Sequence, residues 1–207
     1  MSQDNMSQEN PNKPRTPISK SALLILTLLI SLMSAPTYAQ QAQGAVSDSY
    51  SIDELVVAGG DFFGSISQGL ASVMERAVSQ FGQPNAYILG QEGSAALIGG
   101  VRYGEGAMYT RNAGQRDIFW QGPTIGFDVG GDGSQVMMLV YNLPNVSDVY
   151  GRYPAVQGTA YFIGGVGMTV MKRDTVIMVP IRSGVGARLG VNVGYLKFTP
   201  EPTWNPF

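Results

Sequence analysis

The chain has 207 residues, with 13 Lys+Arg against 15 Asp+Glu and neither His nor Cys. The missing residue types exclude cysteine nucleophiles, disulfides, thiolate or imidazole zinc sites and any Ser-His-Asp triad. A net charge of -2, with aromatics that do not interleave with basic clusters, provides no electrostatic footprint for nucleic acid.

Lys13, Arg15 and Lys20 precede an apolar run from Ala22 to Met33 that holds only Thr27 and Ser31 as polar residues. The polar stretch Ser34 to Ala39 follows, completing the three-part pattern of a signal peptide. The run is about twelve residues where a spanning helix needs about twenty, so an exported protein is expected, not an integral membrane one. The small residue Ala39 stands two positions after Thr37, which puts cleavage between Ala39 and Gln40. The alternatives are an uncleaved anchor and a buried core helix. Removing 39 of 207 residues leaves 168, a length that suits one domain, with 13 acidic and 10 basic side chains and a net charge of -3.

Residues 40–49 are polar and read as a flexible N-terminus, with order starting near Tyr50. Ser51 and Glu54 have the spacing of a capping box, and Gly59-Gly60 is expected to end that short helix. Asp61 is expected to cap a second helix, in which Ile66, Leu70, Val73, Ala77 and Phe81 share one face and Gly82 and Pro84 mark the end. Its polar face holds one Glu and one Arg and no basic stripe, so the helix is expected to lie on a sheet rather than on a membrane.

Beyond Pro84, short apolar runs rich in Val, Ile, Tyr, Phe and Thr alternate with glycine. Strands are predicted at Ala86 to Leu89, Ala95 to Tyr103, Ala107 to Arg111, Ile118 to Trp120, Ile125 to Val129, Gln135 to Leu143, Thr159 to Gly165, Met168 to Lys172, Thr175 to Ile181 and Arg188 to Phe198. Val146 to Tyr150 reads as a helical turn. The predicted fold class is mainly β, a small β-barrel with one or two N-terminal helices packed on it. All 27 glycines follow Ala39 and form about 16% of the remaining chain, against an average near 7%. Ile125 to Gly130 and Leu189 to Gly194 share an alternation of apolar residue and Gly, Asp or Asn, which suggests an internal repeat and two strands with one bare face. Such strands favour tight curling into a barrel or close approach of a ligand. Asp128 and Asn192 are the polar positions on those faces.

Several motifs fail on context. Gly184 to Gly190 resembles a dinucleotide fingerprint but lacks a following helix and an acidic ribose partner, so no cofactor is expected. Asp128 to Gly133 lacks the alternating oxygen ligands of a calcium loop and reads as a hairpin turn, and no metal site is predicted. Glu92, Glu105, Asp117, Asp148 and Asp174 read as loop acids beside glycine, arginine or other polar residues, with no carboxylate pair evident. Asn145-Val146-Ser147 fits a glycosylation sequon and reads as part of a turn. Arg102, Arg111, Arg116, Arg152, Arg182 and Arg188 lie in or near strands, where a guanidinium either holds a phosphate or carboxylate or pairs with acids such as Asp117 and Asp148. Trp120 and Trp204 serve either as anchors for a ligand or as core.

Three segments carry a resemblance: Phe119 to Gly131, Val136 to Pro144, and the tail from Val179 to Gly186 and on to Thr203-Trp204-Asn205-Pro206-Phe207. They closely resemble the EipA family of Gram-negative periplasmic envelope-integrity proteins, first catalogued as a domain of unknown function. The likeness spans about residues 50–207, read as a single domain. It implies a small periplasmic β-barrel needed for the envelope to withstand stress and connected genetically with outer-membrane and O-polysaccharide homeostasis, with no catalytic residues to carry over. A second likeness covers about 95–143. There Gly99-Gly100, Tyr103-Gly104-Glu105-Gly106, Arg111, Trp120, Pro123 and Gly126 to Gly131 follow the order of the SYLF domain, which binds phospholipids. The chain departs from SYLF in having no basic amphipathic helix at its front.

These readings predict a non-enzymatic periplasmic protein that maintains the envelope and its stress resistance by binding a lipid or other amphiphilic component, with Arg111, Trp120, Asp128, Arg188 and Asn192 as contacts. The alternative is a scaffold that docks an envelope protein partner. A carboxylate hydrolase acting on envelope glycans would need two acids about 5 to 10 Å apart in one cleft.

Overall fold

The computed structural model describes residues 49–65, 67–96, 99–125, 128–183 and 194–207. The signal-peptide and cleavage expectations therefore lie outside the described residues.

Helix α1 (Ile52–Phe63) starts from the expected capping box: Glu54 N–H donates to Ser51 Oγ, and Glu54 Oε2 accepts from Ser51 N–H. It does not stop at Gly59-Gly60. Both glycines are buried inside the helix, and a Cβ on Gly59 would come 2.7 Å from Met74 Cε. Close packing on the second helix thus overrides the low helix propensity of the pair. The stop comes at Gly64, whose φ of 77° is left-handed. Asp61, expected as a cap, lies within α1, and Ser67 caps α2 (Gln68–Phe81) by accepting from Leu70 N–H. Leu70, Val73 and Ala77 face inward as expected, joined by Met74; Ile66 lies outside the described residues.

Among the described residues the strands are β1 (Ala86–Ala96), β2 (Gly99–Thr110), β3 (Gly114–Ile125), β4 (Asp128–Tyr141), β5 (Gly151–Pro154), β6 (Tyr161–Ile163), β7 (Val166–Met168), β8 (Met171–Arg173), β9 (Val176–Ser183) and β10 (Tyr195–Thr199). They form one antiparallel sheet in the order β5-β10-β3-β2-β1-β4-β9-β7-β6, with β8 also on β9. The sheet curls into a half-barrel, and an isolated bridge from Ala155 to Met171 ties the end of β5 to β8.

Several predicted boundaries shift. Residues 97, 98, 126 and 127 of the expected strands Ala95 to Tyr103 and Ile125 to Val129 lie outside the described residues; around them, Ala96 ends β1 and Gly99 begins β2, and the segment 125–130 has Ile125 at the end of β3 and Asp128 at the start of β4. Its expected partner in the repeat, 189–194, lies outside the described residues apart from Gly194. Residues 128–133 belong to β4 and make no hairpin turn. Three residues, 131–133, oppose the single residue Gly93 of β1, which forms a bulge. The predicted strand Met168 to Lys172 is broken between β7 and β8, and Thr159 to Gly165 shrinks to β6 before a turn at Gly164 and Gly165. The predicted helical turn is a 3-10 turn over Val146–Val149.

The sheet buries both faces near its centre. Val136, Met138 and Val140 of β4 join Ile88, Met108, Ile118, Trp120, Tyr153, Met178 and Phe198 inside the curl. Met137, Leu139 and Tyr141 point the other way, to Leu55, Leu70, Val73, Met74 and Ala77 of the helices. The uninterrupted apolar run of β4 is the sequence of a strand covered on both sides.

Candidate functional site

Two features lie at the middle of β1, β2 and β3, on opposite faces. On the inner face, alternation places Gly90 and Glu92 of β1 beside Arg102, Gly104 and Gly106 of β2, with Gly90 opposite Gly106 and Glu92 opposite Gly104. Gly90 and Gly104 leave a bare patch that the Trp120 indole fills, while Gly106 sits directly against the β1 backbone at Leu89. A Cβ on Gly90 would come 2.7 Å from indole Cη2, and one on Gly104 would overlap Cε2, Cζ2 and Nε1. Trp120 Nε1 donates to Glu92 Oε2 at 3.2 Å. The same carboxylate accepts from Arg182 Nε at 2.5 Å and Nη2 at 3.2 Å, and Arg102 Nε lies 3.5 Å from Oε1.

Glu92, Arg102 and Arg182 are each only 5% exposed. Burial pushes the Glu92 carboxyl up, but the two guanidiniums and the bonds from Arg182 and Trp120 outweigh it and hold the group below its ordinary value. A cavity of about 10 Å³ between Arg102 and Arg182 has room for no more than about one water. Among the described residues, no three acidic side chains gather as metal ligands.

On the outer face, the alternate residues Gln91, Tyr103, Glu105, Phe119 and Gln121 line a groove of about 370 Å³ that also reaches Glu92 and Trp120. Its other wall is the tail at Pro202, Thr203 and Trp204. The tail is fastened by Tyr103 Oη donating to Trp204 O at 2.9 Å, Tyr195 Oη to Pro206 O at 3.0 Å, and Lys197 Nζ to Asn205 O and Phe207 O at 3.2 and 2.8 Å. The rings of Tyr103 and Trp204 meet edge to face at 5.1 Å, yet Trp204 is 85% exposed. Gln121 is 1% exposed, and its amide Nε2 has no hydrogen-bond partner among the described residues.

Trp120 stands in the inner core and borders this groove. Arg111 lies in the turn between β2 and β3, away from it: Nη2 bonds Glu54 Oε1, Nε donates to Ser49 O at 2.8 Å, and the guanidinium lies 4.7 Å from the Tyr50 ring centroid. It fastens the start of α1 to the sheet. Asp128 opens β4, paired with Ala96; Arg188 and Asn192 lie outside the described residues. Glu92 was expected in a loop because Gly93 follows it, and the structure corrects this to a buried strand position. Its signal was the alternation Ile88, Gly90, Glu92 facing Arg102, Gly104, Gly106. Gln121 carried no signal beyond its place between Trp120 and Gly122.

The profile of the family described as Envelope integrity protein A matches residues 48–207. The chain belongs to this family. Envelope integrity protein A is a family named for a role in the cell envelope, not for a catalysed reaction, and membership assigns the chain to envelope integrity. A crystal structure described as a beta-barrel-like, uncharacterized protein from Brucella abortus is similar at 58% identity, with a TM-score of 0.73, covering 78% of this chain and 100% of that one. The mainly β, barrel-like fold is thus common to both. No match is found among curated proteins. Among the described residues, no helix is long and apolar enough to cross a membrane.

Proposed function

We propose that this envelope integrity protein is a non-enzymatic periplasmic binding protein that holds an amphiphilic envelope component in the outer groove of β1, β2 and β3. The observation that carries the reading is the groove itself: about 370 Å³, walled by Tyr103, Phe119 and Trp204, with polar groups of Gln91, Gln121 and Glu105 beside them. Such a mixture of apolar wall and few polar groups is characteristic of small-molecule sites. The inside of the curl is filled by fully buried side chains, among them Trp120, Tyr153 and Phe198, so the ligand belongs on the outer face. Export rests on the basic, apolar and small-residue pattern that ends at Ala39.

The test is to express the full chain, fractionate the cells, determine the N-terminus of the periplasmic form, and extract it under denaturing conditions for mass spectrometry. An N-terminus at Gln40 and a stoichiometric amphiphile that is lost in Phe119→Ala support the reading. A cytoplasmic protein, or an exported one that carries and binds no amphiphile, overturns it.

A specific observation favours a second reading, docking of a protein partner. Trp204 and Phe207 are 85% and 68% exposed on the same tail, and large exposed apolar groups close together mark contact surfaces. Cross-linking from position 204 in intact cells that yields one defined adduct, with no bound amphiphile, favours it.

A further inference from the structure

We infer that the groove recognises a neutral saccharide unit, either free or as the headgroup of a glycolipid. The inference rests on the reading of the groove as the binding site and names what that site takes. Among the described residues, no Lys or Arg lines the groove, while Glu92 and Glu105 border it. An anionic ligand such as a phosphate or carboxylate would therefore meet repulsion, with no fork to hold it.

Tyr103, Phe119 and Trp204 offer aromatic faces and edges suited to the apolar C–H faces of a pyranose ring. Gln91, Gln121 and Glu105 supply amide donors and amide and carboxylate acceptors at spacings along three adjacent strands, which suits a ligand that carries several hydroxyls. The decisive group is Gln121. Its side chain is buried against the groove, and Nε2 has no acceptor within the described protein. A buried donor without a partner is unfavourable; Nε2 is closed to solvent, so a small turn of the side chain toward the groove would be needed to give it a ligand hydroxyl as acceptor, a partner that an acyl chain cannot provide. At about 370 Å³ the groove lies near the lower end of small-molecule sites, which suits a short glycan segment.

The test uses the protein isolated from cells expressing the full chain and two kinds of probe. The first is a set of soluble tetrasaccharides of glucose, mannose, galactose and N-acetylglucosamine, followed by ligand-observed NMR up to about 10 mM. The second is phosphatidylcholine vesicles with or without glucosyl-diacylglycerol. Saturable binding in either sugar-bearing arm, weakened about tenfold or more in both Trp204→Ala and Gln121→Leu, is the expected result, and the arm that responds identifies the source of the sugar. Trp204 is exposed, so its variant keeps the test sound if Gln121→Leu fails to fold. Equal binding to plain phosphatidylcholine vesicles overturns the saccharide and leaves the amphiphile reading standing. Sugar binding indifferent to both variants overturns the groove as its site, and binding in no arm overturns both readings.

Discussion

The Trp120 indole lies against Gly104 of the neighbouring strand, occupying the space where any other residue would place its Cβ. With Gly90 the same face of two strands is left bare to receive one ring, and the ring's N–H then reaches Glu92. The glycines are thus a mould for the tryptophan, and the prediction concerns them first. Gly104→Ala is expected to destabilise by about 1–3 kcal/mol or more through overpacking. Gly93→Ala, in the next residue pair but with nothing within 4 Å of its would-be Cβ, is expected to stay within about 0.5 kcal/mol of the parent. Urea denaturation of the two variants checks the contrast, and equal costs would sink the mould.

Glu92 accepts hydrogen bonds from Arg182 and Trp120 and is ion-paired with Arg102. Glu92→Ala takes the carboxylate away from the buried Arg182 guanidinium and is expected to cost about 3–5 kcal/mol. Replacing Glu92, Arg102 and Arg182 together by Leu and Met is expected to restore most of that stability, because the desolvation cost disappears with the charges. A triple variant as unstable as Glu92→Ala would contradict this account.

Stability should respond to pH at both ends. Bonds from the Ser51 backbone, the Arg111 side chain and the Ser51 hydroxyl hold Glu54 down from 4.5 to about 2. A lowered carboxyl stabilises above its unfolded value, and that contribution is lost as the pH falls from 4.5 through about 2. The melting temperatures of parent and Glu54→Gln should therefore differ at pH 7 and converge near pH 2.

At the alkaline end, burial pushes the Tyr153 phenol up to about 12, and Tyr141 is raised by the same cause. A raised phenol contributes stability fully present below pH 10 that is lost as the pH rises through about 12. Tyr153→Phe should flatten the loss of stability over that window, as melting curves recorded from pH 9 upward would show.

Lys197 fastens the tail through two carbonyls, those of Asn205 and Phe207. Lys197→Met is expected to cost less than about 1 kcal/mol overall, since the bonds are exposed, yet to speed carboxypeptidase removal of the last residues severalfold. Unchanged digestion would mean that Tyr103 and Tyr195 hold the tail without it.

Where the determinants were local, the sequence was readable. The Ser51–Glu54 cap, the turn at Val146 and the β character beyond Pro84 all rest on residues within a few positions of each other. Gly59-Gly60 misled because its role is set by Met74 on another helix. Glu92 misled for the same reason at longer range: Gly93 beside it resembles a loop, while Arg182, the partner that makes its burial tolerable, is 90 residues away. Gln121 was invisible, since an unsatisfied amide is a property of what surrounds it and not of its neighbours in the chain.

Strand β10, the last described in the sequence, sits in space between β3 and β5. Until synthesis passes Thr199, those two strands present unpaired backbone to one another across a gap one strand wide, and the curled sheet cannot be completed in the order in which it is made. Pairings this distant in the chain carry a large loop-closure entropy and form late. A nascent chain is thus kept open until its final segment arrives, a timing that fits the export proposed above.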